Sequence, residues 1–262
     1  MTGRDVTAAI EREYPPCLAE EWDNSGLLVG DPDREVRTIA VCLDLTDETL
    51  MMALEGGAEM VVTHHPLIFK PVSRVVAGDR VGRRILKLAA NQMICYAAHT
   101  NFDVAGMAAV NAASLGLIET EPLEVTGMDE EGVPYGLGRV GVLPEAAAAG
   151  AFARTVRSVC GLDAVRLYGN EDRPVKRVAV CGGSGRSLIG AAIRSGADVF
   201  VTGDLDYHSA IDAAADGLML IDAGHFGTER EFIRCMAETI RRAAPALSVL
   251  ELPQAAPYTV IA

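Results

Sequence analysis

The chain has 262 residues, enough for one or two domains with a sizeable buried core. Half of the residues are hydrophobic and 23% are charged, a globular composition that excludes a mostly disordered chain. The formal net charge of −13 disfavours nucleic acid as a partner, because acidic surfaces repel phosphate, but it does not repel metal cations.

Cysteine usage and hydropathy exclude two further classes. The six cysteines contain no C-x-x-C pair, so zinc-finger and thioredoxin motifs are absent. The N-terminal segment is polar, and no apolar run reaches the ~20 residues that a membrane helix needs. We therefore expect reduced thiols, a cytoplasmic location and no membrane contact.

Strand and helix patterns alternate along the chain. In the first half, apolar β-branched runs predict buried strands at 38–43, 60–63 and 93–98, and helices are predicted at 46–55, 82–91 and 106–115. The segment 119–138 is rich in Gly, Pro and acidic residues and is predicted to be a loop or crossover between the halves.

The second half repeats the alternation. Strands are predicted at 139–143, 177–181, 198–202, 218–222 and 247–252. Helices are predicted at 144–160, 186–194, 207–215 and 229–242, the first of them opened by Pro144. Repeated βα units predict an α/β fold with largely parallel sheets.

One part of the chain resembles another. Residues 38–63 align with residues 177–202 without gaps, and eight of the 26 pairs are identical. Convergence between buried βα units is the alternative, but the ungapped match favours a duplication. We expect two pseudo-duplicated α/β lobes, 1–123 and 124–262, with a metal site in the cleft between them. The C-terminal segment is a candidate to pack back on the first lobe.

Two adjacent histidines mark the end of a predicted strand. His64 and His65 follow the strand at 60–63, and Pro66 ends it. Ligands of parallel α/β sheets bind outside the carboxyl ends of the strands, so both rings are expected to face one cavity. The alternative is a core or surface histidine beside an unrelated one.

Two other histidines have a carboxylate four residues later. His99 precedes Asp103, and His225 precedes Glu229, each pair after a predicted strand. Helix-terminal roles for the two acids are the alternative. Imidazole and carboxylate bind zinc, iron, nickel and manganese, and a bridging carboxylate can hold two cations ~3.5–4 Å apart. The predicted ligands of two divalent ions of unspecified identity are His64, His65, Asp103, His225 and Glu229.

Other segments carry weaker signals. Trp22 precedes Asp23-Asn24-Ser25 and is interpreted as a packed ring beside an Asx turn. The Gly182–Gly185 run lacks the P-loop Lys-Ser/Thr and is interpreted as a tight turn rather than a phosphate cradle. Asp204 and His208 are either a helix cap and a surface residue or residues that line the cleft and transfer protons.

Five segments together resemble the NIF-three-like dinuclear metal-centre family, of which many members carry the name GTP cyclohydrolase type two homologue. The segments are 19–27, 63–69, 99–103, 202–204 and 222–229. The resemblance implies the short form, without a PII-like insertion, in which two interlinked α/β lobes assemble into a toroidal homohexamer. It also implies that Glu229 bridges the metals and that His99 and His208 lie near them.

The leading hypothesis is therefore a metal-dependent hydrolase resembling GTP cyclohydrolase, with a small-molecule substrate such as a nucleotide. Two cations would acidify a bound water, and His99 or His208 would be the catalytic residue that moves a proton. In a chain of net charge −13, nucleotide phosphates would rely on the metals. The alternative is a metal-binding or regulatory ring-forming assembly protein without turnover, because no unambiguous general base lies outside the ligand set.

Overall fold

The computed structural model describes residues 1–261, which form two compact units. Unit 1 comprises Met1–Phe102 and Glu231–Gln254, and unit 2 comprises Asp103–Arg230 and residues 255–261. The chain thus leaves unit 1 after Phe102, earlier than the expected boundary at 123, and later returns to it. Within the described range, no helix is long and apolar enough to cross a membrane.

Unit 1 contains one five-stranded sheet with the order β1-β4-β3-β2-β11. Its strands are β1 (Gly26–Val29), β2 (Thr38–Cys42), β3 (Met60–Thr63), β4 (Ile94–Ala97) and β11 (Ser248–Glu251). Its helices are α1 (Gly3–Glu13), α2 (Asp47–Glu55), α3 (Arg80–Ala90), α4 (Thr100–Phe102) and α10 (Glu231–Ala243). Only the edge strand β1 is antiparallel to its neighbour, so this sheet is largely parallel, as predicted.

Unit 2 contains one six-stranded mixed sheet with the order β5-β6-β8-β9-β10-β7. Its strands are β5 (Ile118–Met128), β6 (Pro134–Ala148), β7 (Arg166–Tyr168), β8 (Pro174–Ser184), β9 (Val199–Gly203) and β10 (Met219–Asp222). A π-helical turn (Asp103–Met107) leads into α5 (Ala108–Ser114). The other helices are α6 (Ala149–Val159), α7 (Ile189–Arg194), α8 (Tyr207–Ala215) and α9 (His225–Glu229).

The central strands of unit 2 are buried on both faces. Val178, Val199 and Ile221 belong to one hydrophobic cluster, whereas Ala179 and Phe200 belong to another. Successive residues of a strand point to opposite faces, so the two clusters cover the two sides of the sheet. This two-sided burial explains why β8 and β9 read as continuous apolar runs in the sequence.

Two sequence-based predictions about the linking region are wrong. Residues 119–138 are mostly strand rather than loop, because β5 and β6 pair antiparallel from Ile118↔Val142 to Met128↔Pro134. Most β5 side chains are exposed, so the sequence lacks the apolar alternation that indicates a strand. The predicted helix at 144–160 begins only at Ala149, because β6 continues through Pro144. That proline lies where the β6–β8 register shifts, a position at which a missing N–H is tolerated.

The duplication predicted from the sequence has matching strand geometry. Ile39↔Met60 of the parallel β2–β3 pair corresponds to Val178↔Val199 of β8–β9 at a constant offset of 139 residues. In each unit, a carboxylate at the equivalent position of the repeat accepts two backbone N–H groups. Glu59 Oε2 accepts the N–H groups of residues 37 and 38, and Asp198 Oδ2 accepts those of residues 176 and 177.

The carboxylate of Glu59 is expected to stabilise unit 1 in a pH-dependent way. Partial burial raises its pKa, but the N–H groups of Thr38 and Arg37 outweigh burial, so the pKa lies below its ordinary value. A lowered folded-state pKa gives stability above the unfolded pKa of ~4.3 that is lost as the pH falls through the folded value. Glu59→Gln should reduce the free energy of unfolding by about 1 kcal/mol at pH 7.

Denaturant unfolding at pH 7 and pH 3 measures this effect, with Glu55→Gln on the exposed end of α2 as the control. The difference between native protein and Glu59→Gln should shrink at pH 3. A difference that stays constant with pH would contradict a role for the ionised carboxylate.

Candidate metal centre

His64 and His65 lie where β3 ends, as the sequence predicts. Their N–H groups continue the pairing with the β2 side, donating to Cys42 C=O and Leu43 C=O. The His64 ring is fully buried and packs against Phe232, with ring centroids 5.0 Å apart. Its Nδ1–H donates to the Ala98 carbonyl at 2.9 Å. Because a carbonyl only accepts, Nδ1 carries the proton, and Nε2 carries the lone pair.

His65 is held in the same way by a carboxylate that the sequence analysis missed. Its Nδ1 lies 2.9 Å from Asp44 Oδ1. The strand register of the structure explains this contact. Cys42 pairs with Thr63, so the parallel register carries Asp44, two residues on, opposite His65.

His99 is fixed by the turn that precedes β1. Its Nδ1 lies 2.7 Å from Asp23 Oδ1, and its N–H donates to Ser25 Oγ. The Asp23 carboxylate is fully buried and also accepts the hydroxyl groups of Ser25 and Thr100. Burial by itself raises the pKa of Asp23, but the hydrogen bonds from His99, Thr100 and Ser25 outweigh it and hold the pKa well below its usual range.

Three histidines of unit 1 therefore form one group. The candidate ligand atoms of His64, His65 and His99 all lie within 4.8 Å of one another. His99 was predicted to lie near the metals rather than to bind one, so its place in this group widens the candidate donor set. A spacing of this size suits a divalent cation bound by neutral imidazoles.

Unit 2 brings together a second set of donors. His225 and Glu229 lie one turn apart in α9, with His225 Nε2 3.1 Å from Glu229 Oε2. Asp204, which has a left-handed backbone conformation after β9, accepts from His225 Nδ1 at 2.7 Å. Asp204 is therefore not the cap of α8, because Asp206 fills that position.

Asp103 is the first residue of the π-helical turn, a distortion that is frequent at functional sites. Burial raises the pKa of the Cys181 thiol, and the charges of Asp103 and Glu229 raise it further. Both carboxylates therefore act on the same thiol, which stays protonated at neutral pH. The candidate ligands of unit 2 are the imidazole of His225 and the carboxylates of Asp103 and Glu229.

The Gly182–Gly185 run leaves room for the side chains of His225 and Glu229. Gly183 has φ +61°, and a Cβ there would overlap Glu229 Oε1 and lie 3.3 Å from His225 Nε2. The N–H of Gly183 donates to Thr228 Oγ1, and that of Gly185 donates to Thr202 Oγ1. Since these amides bond within the unit, they do not form a phosphate cradle. The interpretation of the run as a tight turn is wrong, because β8 continues to Ser184 with a shift of register against β9.

Two other candidates lie on the surface. His208 is exposed at the start of α8, and its ring contacts that of Tyr207. The interpretation of Trp22 as a packed ring is wrong, because its side chain is 59% exposed. The polar segment beside it holds His99 through the carboxylate of Asp23.

A cavity of about 530 Å³ opens beside His225 in unit 2. Arg166, Asp222 and Tyr258 line it together with His225, and the Arg166 guanidinium is bonded to the buried Asp222 carboxylate. A volume of this size admits a small organic molecule.

A single pattern unites the four histidines: in each, Nδ1–H meets an oxygen acceptor. The acceptors are the Ala98 carbonyl and the carboxylates of Asp44, Asp23 and Asp204. Metal-binding histidines almost always donate their other ring N–H in this way, which fixes the tautomer and orients the ligand atom. The residues present therefore fit divalent cations bound through Nε2 and carboxylate oxygens.

Fold and site define a two-unit α/β protein with a histidine- and carboxylate-rich candidate metal centre. The family model Duf34/NIF3 (NGG1p interacting factor 3) matches residues 1–256. The chain belongs to this family.

Curated relatives and solved structures agree with that assignment. A "GTP cyclohydrolase 1 type 2 homolog" of Clostridium perfringens is 33% identical over 243 residues, covering 92% of each chain. A relative of the same name from Lactococcus lactis is 36% identical and covers 90% of each chain. A Bacillus cereus protein related to NIF3 has a similar structure, with a TM-score of 0.94, 26% identity and coverage of 100% of this chain and 99% of the other.

Proposed function

We propose that the protein is a metal-dependent hydrolase that binds two divalent cations through His64, His65, Asp103, His225 and Glu229. The observation that carries the proposal is the oxygen acceptor at Nδ1 of every histidine in this set. The names of the relatives support a reaction of the GTP cyclohydrolase kind.

Bound cations would supply Lewis acidity and lower the pKa of water in the site. The chain's own residues supply orientation and proton transfer. Asp44 and Asp204 fix the ring planes of His65 and His225. In our proposal, His99 accepts a proton at Nε2 while Asp23 stabilises the resulting imidazolium through Nδ1–H. The ring of His208 contacts that of Tyr207, and we assign His208 no role in proton transfer.

The substrate class in this proposal is a small molecule. The 530 Å³ cavity beside His225 offers room for one, and α/β ligand sites lie at strand ends such as those that precede His64, His99 and His225. The toroidal homohexamer implied by the resemblance belongs to the proposal as well, and sedimentation velocity measures it directly.

The proposal is tested by metal loading followed by a turnover screen. We expect protein loaded with Mn²⁺, Zn²⁺ or Fe²⁺ to hydrolyse GTP, a model phosphoester or a dinucleotide. Glu229→Gln should lower kcat at least a hundredfold, because the substitution removes a negative charge that offsets the charge of the bound cations. The exposed Glu238→Gln on α10 is the matched control and should keep native turnover.

The outcome also separates the two function classes. Native protein that binds metal stoichiometrically but turns over none of these substrates would contradict the hydrolase. That result would favour the non-catalytic metal-binding or regulatory ring-forming protein.

A further inference from the structure

Two large aromatic side chains of unit 1 are exposed beside the histidine group. Trp22 is 59% exposed and Phe69 is 47% exposed, although rings of this size are usually buried. Their centroids lie 6.0 Å apart with the rings edge to face. Both rings also contact His99, at 6.1 and 6.2 Å. The pair therefore borders the candidate metal centre.

Hydrogen bonds hold this pair in position. Trp22 directly precedes Asp23, whose buried carboxylate is fixed by five hydrogen-bonding groups. Asn24 Nδ2 donates to the Ile68 carbonyl, which ties the segment bearing Phe69 to the same turn. Segments held in this way lose little conformational entropy when a ligand binds, so the backbone that carries the two rings is preorganised.

The segment that carries Phe69 is basic in an otherwise acidic chain. Residues 66–90 contain a single acidic residue, Asp79, and six basic ones: Lys70, Arg74, Arg80, Arg83, Arg84 and Lys87. Arg83 and Arg84 bond to Asp47, whereas Lys70 and Arg74 lie in the exposed stretch directly after Phe69. This segment is therefore positively charged and attracts anions, although the net charge of the whole chain is negative.

We propose that Trp22 and Phe69 bind the planar heterocyclic base of the substrate, and that Lys70 and Arg74 bind its phosphate. The inference rests on the proposed function, since it names the substrate class and specificity residues of the same site. Aromatic faces stack on any heterocyclic base, and basic side chains in the exposed stretch that follows Phe69 select the phosphorylated form. The metals are then not needed to bind the phosphate.

Trp22 is the only tryptophan in the chain, so its fluorescence reports directly on this surface. Full-length native protein would be titrated with guanosine 5′-monophosphate, guanosine and ribose 5-phosphate. We expect saturable quenching by the nucleotide, weaker binding of guanosine and no quenching by ribose 5-phosphate. Equal affinity for nucleotide and nucleoside would overturn the assignment of Lys70 and Arg74.

Calorimetric titration with variants tests the rings themselves. Trp22→Ala should weaken binding of guanosine 5′-monophosphate roughly tenfold or more, and Trp22→Phe should stay within about threefold of native affinity. Tyr207→Ala is the control, because Tyr207 is an exposed aromatic residue on α8 whose ring contacts His208. Native affinity in Trp22→Ala would overturn the proposal. If that variant instead changes the sedimentation coefficient, the rings form a subunit interface.

Failure of this inference is distinguishable from failure of the proposed function. Metal-free native protein should still bind the nucleotide, because the rings and basic residues need no metal. Metal-dependent turnover with native kinetics in Trp22→Ala would refute the binding role of the two rings. It would leave the proposed hydrolase activity supported. Nucleotide binding that depends on Trp22, without turnover of any substrate, would support the binding role of the two rings and contradict the hydrolase activity.

Discussion

Replacing His65 with alanine is expected to remove the bound divalent metal and, with it, all turnover. The side chain lies at the end of β3 with Nδ1 held by Asp44, so its loss removes a preoriented donor from the proposed set. Elemental analysis of the purified variant measures the effect as metal ions per chain.

The matched control for this experiment is His208→Ala. His208 is exposed on α8 and contacts Tyr207, so its removal should leave the metal content at the native value. Circular dichroism would show that both variants keep the native fold. Unchanged metal content in His65→Ala would contradict the assignment of His65 as a ligand.

Gly183→Ala is expected to destabilise unit 2 and to disturb the carboxylate that we assign to the metals. At φ +61° an alanine costs about 1–2 kcal/mol in backbone strain. Its Cβ would also overlap Glu229 Oε1, so the side chain must move, at an overpacking cost of about 1–3 kcal/mol. We expect a lower unfolding midpoint together with weaker metal binding.

Gly196→Ala separates these two costs. Gly196 also has a left-handed backbone, φ +71°, but a Cβ there meets nothing within 4 Å. That variant should show the backbone strain alone and bind metal normally. Equal unfolding free energies and equal metal affinities in the two variants would contradict the steric role of Gly183 beside Glu229.

Much of the fold was predictable because buried parallel strands leave a clear trace in the sequence. β2, β3, β4, β8, β9 and β10 are apolar on both faces, and each was predicted within a few residues. The middle of β6 was predicted as the strand at 139–143. β5 was missed because most of its side chains are exposed, and the end of β6 was missed because Pro144 resembled a helix start. Backbone pairing, not side-chain burial, defines β5.

The candidate ligands were more predictable than the residues that orient them. His64, His65 and His225 follow strands and stand out by residue type alone. Asp44 and Asp23 are ordinary acids in a chain with 36 of them, and their roles depend on which backbone lies next to which. Register supplies the position of Asp44, whereas Asp23 reaches His99 from a turn that is 76 residues away in sequence.

Anomalous diffraction from crystals grown with Mn²⁺ or Zn²⁺ tests the central claim most directly. We expect two peaks per chain, with His64, His65 and His225 bound through Nε2 and with Asp103 and Glu229 bound through carboxylate oxygens. Peaks located at other residues, or histidines bound through Nδ1, would contradict it.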